Sequence, residues 1–136
     1  MIRKIMKSTI FLRVPSKDAT KDDAQIGQDL MDTLEAHAAG CVGMAANMIG
    51  EHKRIIAVVD GRKRVLMYNP VILESSGRYE TEEGCLSLEG ERTAVRYKTI
   101  KVSYLDKDFR SRTKQYSGYT AQIIQHEIDH CNGVII

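Results

Sequence analysis

His126 and His130 stand four positions apart in the segment Gln125-His126-Glu127-Ile128-Asp129-His130. At about 3.6 residues per helical turn, that spacing puts both imidazoles on one helix face, where they can share a metal ion. Glu127, one position past the first His, falls beside such an ion rather than on it. Two His ligands with an adjacent Glu as general base is the donor arrangement of a metal hydrolase. A hydrolytic ion needs three protein ligands and an open position for water. The third ligand must come from a Cys, His, Asp or Glu elsewhere in the chain. The other histidines, His37 and His52, lie at the end of an amphipathic helix and in a polar Glu-His-Lys-Arg run, so both read as solvated. Cys85 is the better choice. It sits in Glu82-Glu83-Gly84-Cys85-Leu86-Ser87, where Gly84 lets the chain turn so that a thiolate and a following backbone N–H face one point.

The elements that must position these residues follow from periodicity. Thr20 is a helix N-cap, Asp22 and Asp23 suit a first turn, and Ile26, Leu30 and Leu34 form one apolar stripe that runs to about Ala38, with Gly40 as the stop. The stretch from Gly40 to Gly50 is small, Gly-rich and apolar, which suits close approach of another backbone. Arg54 to Val59 reads as a buried strand closed by the turn Asp60-Gly61. Val65 to Tyr68 is a second strand ended by Asn69-Pro70, and Val71 to Leu73 a short edge. Thr99 to Leu105 alternates, and Arg110 to Tyr116 is a polar edge strand. The metal-binding helix starts near Thr120 as N-cap, runs through about Asp129 and stops at Gly133. Strands in the middle with helices at both ends make an α+β pattern, not alternating βαβ.

The chain has 136 residues, the length of one domain able to bury its own core. With 43% hydrophobic and 28% charged residues it reads as soluble and globular. A net charge of +2 with scattered Lys and Arg excludes a dedicated nucleic-acid face. No run is apolar enough for a membrane span or a signal peptide. Three cysteines, Cys41, Cys85 and Cys131, with no common spacing argue for reduced thiols and a cytoplasmic location.

Taken together, Glu83-Gly84-Cys85-Leu86-Ser87 and Gln125-His126-Glu127-Ile128-Asp129-His130 resemble two motifs of the peptide deformylase family, E-G-C-L-S and Q-H-E-x-D-H, at every defined position. The family's first motif, G-x-G-x-A-A-x-Q, has a counterpart in Cys41-Val42-Gly43-Met44-Ala45-Ala46-Asn47-Met48. The three occur in the family's order, and the resemblance runs from the first helix to the end. It implies a deformylase fold of antiparallel or mixed sheets around a C-terminal metal-binding helix, with Cys85, His126 and His130 as ligands. The ion implied is iron(II), with zinc, nickel or cobalt able to take the same site. Glu127 would move protons between water and the leaving amine, and the backbone N–H of Leu86 would meet the oxyanion. The substrate implied is the N-formylmethionyl end of a nascent chain, bound against Gly43 and Met48, and the products are formate and a free amino terminus. Gln125 and Asp129 are expected to orient ligands, although Asp129 fits a plain charged helix face equally well.

Met48 stands where the family has the Gln that donates to the formyl oxygen. A thioether cannot donate, and losing one oxyanion donor typically costs about 10²–10³ in rate, so reduced or altered turnover is expected. Asn47 carries an amide but, on an extended segment, would face the other way. Cys41 replaces the first motif Gly, and Cys131, where the family usually has Leu, reads as packing. The short stretch after the last helix makes ribosome contact unexpected. Two other functions fit the metal site: a small metallopeptidase, whose third ligand is usually His or Glu, and a catalytically weak paralogue that binds metal and peptide N-termini.

Overall fold

The computed structural model describes all residues from Met1 to Ile136. A short helix α1 spans Thr9–Leu12 and the longer α2 spans Ala24–Ala36. Thr20 caps the turn that leads into α2: its hydroxyl accepts from Asp22 N, and Asp23 reaches back to the Thr20 N–H at 2.8 Å. Five strands follow as an antiparallel meander in the order β1 (Gly43–Ala45), β2 (Ile55–Asp60), β3 (Lys63–Cys85), β4 (Leu88–Leu105) and β5 (Ser111–Ser117). Helix α3, Gly118–Cys131, closes the fold.

Both faces of β2 are covered, which is why it reads as an unbroken apolar run. Ile56 and Val58 join Ile124, Ile128 and Cys131 of α3 in one core cluster. Ile55 and Ala57 join Leu30 and Leu34 of α2 in the other. Each fully buried Leu or Ile of this kind contributes about 1.5–3 kcal/mol. These two layers fix the spacing between α3 and the sheet, and hence the site between them. No helix is long and apolar enough to cross a membrane.

Three features sharpen or change the sequence reading. First, the sheet is single and wholly antiparallel among its strands, the first of the two arrangements expected. Second, Asn69-Pro70 does not end a strand, and Val71 to Leu73 is no separate edge; both lie inside β3. The break is absorbed as a register shift between Tyr68 and Val71, with Asn69 at φ +52°. The side chain of Asn69 anchors that bulge by accepting from Ala19 N at 2.7 Å and donating to Ala19 O at 3.0 Å. Third, α3 begins at Gly118 with Ser117 as N-cap, not at Thr120. The Thr120 hydroxyl instead donates to Asp60 Oδ1.

Candidate metal centre

The C-terminal end of β3 carries Glu83 and Cys85 on one side of the sheet, because strand side chains alternate. The chain turns after Cys85 rather than at Gly84: β3 runs to Cys85 and a two-residue turn, Leu86-Ser87, leads into β4. Helix α3 presents His126, Glu127 and His130 toward the same point. β1 and the 3₁₀ turn Ala46–Ile49 supply the opposite wall. Between them is a cavity of about 560 Å³, lined among others by Gly43, Met48, Cys85, Leu86, His126 and Glu127.

The three expected ligands converge. Cys85 Sγ lies 3.3 Å from His130 Nε2, and the two Nε2 atoms are 3.1 Å apart. All three donor atoms fall within 4.8 Å of one another. Bonds of roughly 2.0–2.3 Å to one tetrahedral ion would separate such atoms by about 3.3–3.6 Å, so the triangle is the size a small divalent cation requires. The cluster also attracts positive charge. Burial alone would push the His126 ring down, but hydrogen bonds to Cys85 and Glu83 hold it up at about 10. Burial pushes His130 down to about 3, which keeps that ring neutral and its lone pair free. A soft thiolate with two imidazoles suits iron, zinc, cobalt or nickel.

Around the ligands lies a network the sequence reading did not assign. Glu83 Oε1 accepts from His126 Nδ1 at 2.8 Å, fixing the ring so that Nε2 faces the other donors. Arg96, only 4% exposed, bonds Glu83 through Nε and through Nη2 at 2.7 Å, and its Nη1 reaches Asp129 Oδ2 at 2.7 Å. Gln122 Nε2 donates to Glu83 Oε2. Burial pushes the Glu83 carboxyl up, but hydrogen bonds from His126, Arg96 and Gln122 outweigh it and hold the group at about 2. Asp129 therefore touches the ligands only through this chain of contacts. Gln125 is not a ligand-orienting residue: its amide bonds Tyr97 N and Tyr97 O and pins α3 to β4. Cys131 is buried in the core, as packing required.

Glu127 is buried, its Oε1 has no hydrogen-bond partner within the protein, and burial pushes its carboxyl up to about 7. A carboxyl near neutrality beside a metal site is poised to exchange protons. Gly43 makes room for it. A Cβ at position 43 would stand 2.6 Å from Ile123 Cγ2 and 2.8 Å from Glu127 Oε2. Gly43→Ala should therefore displace the carboxylate; a misplacement near 1 Å can cost about 10²-fold in rate. The check is kcat at full metal occupancy, with the fold verified by circular dichroism. Turnover within about threefold of wild type would show that the Glu127 position tolerates the shift. Met48 is buried against the cavity, with Sδ 3.5 Å from Ala45 N. The N-terminal segment straps the two motif segments together, since Met6 N donates to Met48 O at 2.7 Å and Lys7 Nζ to Leu86 O at 3.3 Å.

The family profile for polypeptide deformylase matches residues 3–136. The chain belongs to that family. It is 52% identical over 136 residues to the peptide deformylase of Clostridium beijerinckii, with all of both chains covered. The crystal structure of the Thermotoga maritima peptide deformylase superposes with a TM-score of 0.89 at 31% identity, covering 99% of this chain and 95% of that one. A class I type b peptide deformylase from Acinetobacter baumannii, solved with Met-Ala-Ser bound, gives 0.89 at 27% identity, covering 99% and 97%. The deformylase fold accounts for an antiparallel sheet flanked by an N-terminal and a C-terminal helix. A metal-dependent hydrolase accounts for the Cys85, His126 and His130 cluster.

Proposed function

We propose that Cys85, His126 and His130 hold an iron(II) ion, with zinc, nickel or cobalt as substitutes, and that Glu127, Leu86, Gly43 and Met48 act on the substrate around it. The chain is a deformylase, a hydrolase that frees formate from N-formylmethionyl peptides. The observation that carries the assignment of roles is the meeting of three ligand atoms with one unpaired, buried carboxyl in a single cavity.

When bound, the ion supplies Lewis acidity and makes water a nucleophile at neutral pH. The chain's own residues do the rest. Glu127 takes the proton as the water oxygen bonds the formyl carbon, and returns it to the amine nitrogen as the carbon–nitrogen bond breaks. The backbone N–H of Leu86 donates to the developing oxyanion. Glu83 keeps the His126 proton on Nδ1, where the 2.8 Å bond holds it. Gly43 leaves the acyl group space beside Glu127, and Met48 bounds the cavity without donating to it. The Acinetobacter enzyme's Met-Ala-Ser supports a methionine-first peptide as occupant here. Nascent chains in the cytoplasm are the corresponding substrates, and residues 1–136 act as one catalytic domain.

The test is metal content and formate release measured on one anaerobically purified sample. Formate without a stoichiometric ion would refute the ligand assignment. Met48→Gln restores a side-chain donor and should raise kcat, by up to about 10²-fold if the amide reaches the formyl oxygen. Equal turnover in the two proteins would show that the Leu86 N–H and the ion suffice.

A further inference from the structure

Asn47, expected to point away from the chemistry, lies on it from behind. The segment Ala46–Ile49 is a 3₁₀ turn and not extended, so Asn47 faces α3 while Met48 faces the cavity. Asn47 is completely buried, and its Nδ2 donates to the backbone carbonyl of His130 at 2.9 Å, across 83 positions of sequence. The other end of the same carboxamide, Oδ1, is buried without a hydrogen-bond partner within the protein. So is His130 Nδ1.

These two atoms want each other. The Nε2 of His130 is turned to Cys85 and His126, so in a ligating neutral ring the proton sits on Nδ1. A buried N–H without an acceptor costs about 1–3 kcal/mol, and a ligating His almost always gives this proton to an oxygen. His126 gives its own to Glu83. The remaining buried side-chain oxygens without a partner are those of Asn47, Glu127, Ser16 and Ser87. Of these, Asn47 Oδ1 belongs to a side chain already bonded to His130.

We propose that Asn47 is a positioning residue for His130, holding its carbonyl through Nδ2 and accepting its ring proton through Oδ1. The inference rests on the metal-site reading above. It gives the two imidazole ligands different holders, a carboxylate for His126 and a neutral amide for His130. The centre thus gains no further negative charge beyond Glu83 and Cys85. It also ties the wall that carries Gly43 and Met48 to the second ligand.

The experiment compares wild type, Asn47→Leu and Asn47→Asp by three readouts: zinc affinity in chelator competition, the visible spectrum of the cobalt(II) protein, and urea unfolding of the metal-free protein. Leu has similar bulk and no polar atom, while Asp keeps the acceptor and loses the donor. Asn47→Leu should bind zinc about 10–100-fold more weakly and shift the cobalt bands. Asn47→Asp should stay nearer to wild type in zinc affinity. If Asn47→Leu lowers metal-free stability alone, with zinc affinity within about threefold and an unchanged cobalt spectrum, Asn47 is a backbone clasp and the proposal is overturned. Zinc binding weaker in Asn47→Asp than in Asn47→Leu also overturns the acceptor role. A wild-type protein that takes up neither ion overturns the metal reading and this inference with it.

Discussion

Glu127→Gln should keep its metal and lose about 10²–10⁴ in kcat. The amide matches the carboxylate in shape, so neither the cavity nor the ligand cluster has cause to move. What it lacks is a site for the proton. Glu127 has the position for that work: it is 4% exposed, lines the cavity and keeps Oε1 free of protein partners. Neither of the other buried acidic groups lining the cavity can substitute. Glu83 is held at about 2 by its three donors and is fully engaged with them. The thiol of Cys41 is pushed up by burial to about 11 and already bonds Gly43 O. The measurement is single-turnover formate release at matched metal content. A rate within about fivefold of wild type would remove Glu127 from the proton path. Stability supplies an independent sign. Burial raises the folded-state pKa of Glu127 from 4.5 to about 7. In the metal-free protein its stability contribution is therefore fully present below about pH 4.5 and is lost as pH rises through about 7. Metal-free Glu127→Gln should lose less stability than wild type between pH 6 and about pH 8.

The parts of this site that were legible in the sequence are those fixed by local periodicity. Two histidines four apart share a helix face whatever the rest of the fold does, and β2 announces its two-sided burial by an unbroken apolar run. Cys85 was reachable by eliminating His37 and His52 and by its motif. The holders of the ligands were not legible, because each depends on pairing between distant segments. Glu83 meets Arg96 only through the β3–β4 register, in which Glu83 lies opposite Arg92 and Thr81 opposite Ala94. Nothing in the spacing of Arg96 distinguishes it from the half-buried Arg92 or the exposed Lys98 and Lys101 of the same strand. Asn47 does face away from the cavity, but on a 3₁₀ turn rather than an extended segment, and its contact with His130, 83 positions away, had no local signal. Asn69-Pro70 looked like a terminator because a bulge and an end use the same residues.

The network behind His126 yields the other large effect, and its two functions can be separated. Glu83 and Arg96 have side chains 6% and 5% exposed and meet at 2.7 Å. Removing one partner of a buried pair leaves an uncompensated charge and typically costs about 3–5 kcal/mol. Glu83→Ala should lose up to that much in urea unfolding of the metal-free protein, because Arg96 is left with only the partly exposed Asp129 as partner. The contribution also has a pH window: the folded-state carboxyl is held near 2 against a usual 4.5, so its stabilisation is present above about pH 4.5 and is lost as pH falls toward 2. Replacing both partners with apolar residues of similar volume is often neutral for a buried pair. The double variant Glu83→Met, Arg96→Met should therefore regain most of the stability lost by Glu83→Ala. It should not regain metal affinity, because His126 Nδ1 still has no carboxylate to hold it. Both variants should bind zinc about 10–100-fold more weakly than wild type. If zinc affinity instead returned with stability, the carboxylate would matter to the fold alone and the orientation of His126 would be set by helix packing. If neither returned, Asp129, left without the Arg96 Nη1 it bonds at 2.7 Å, would be the group that costs the double variant its stability.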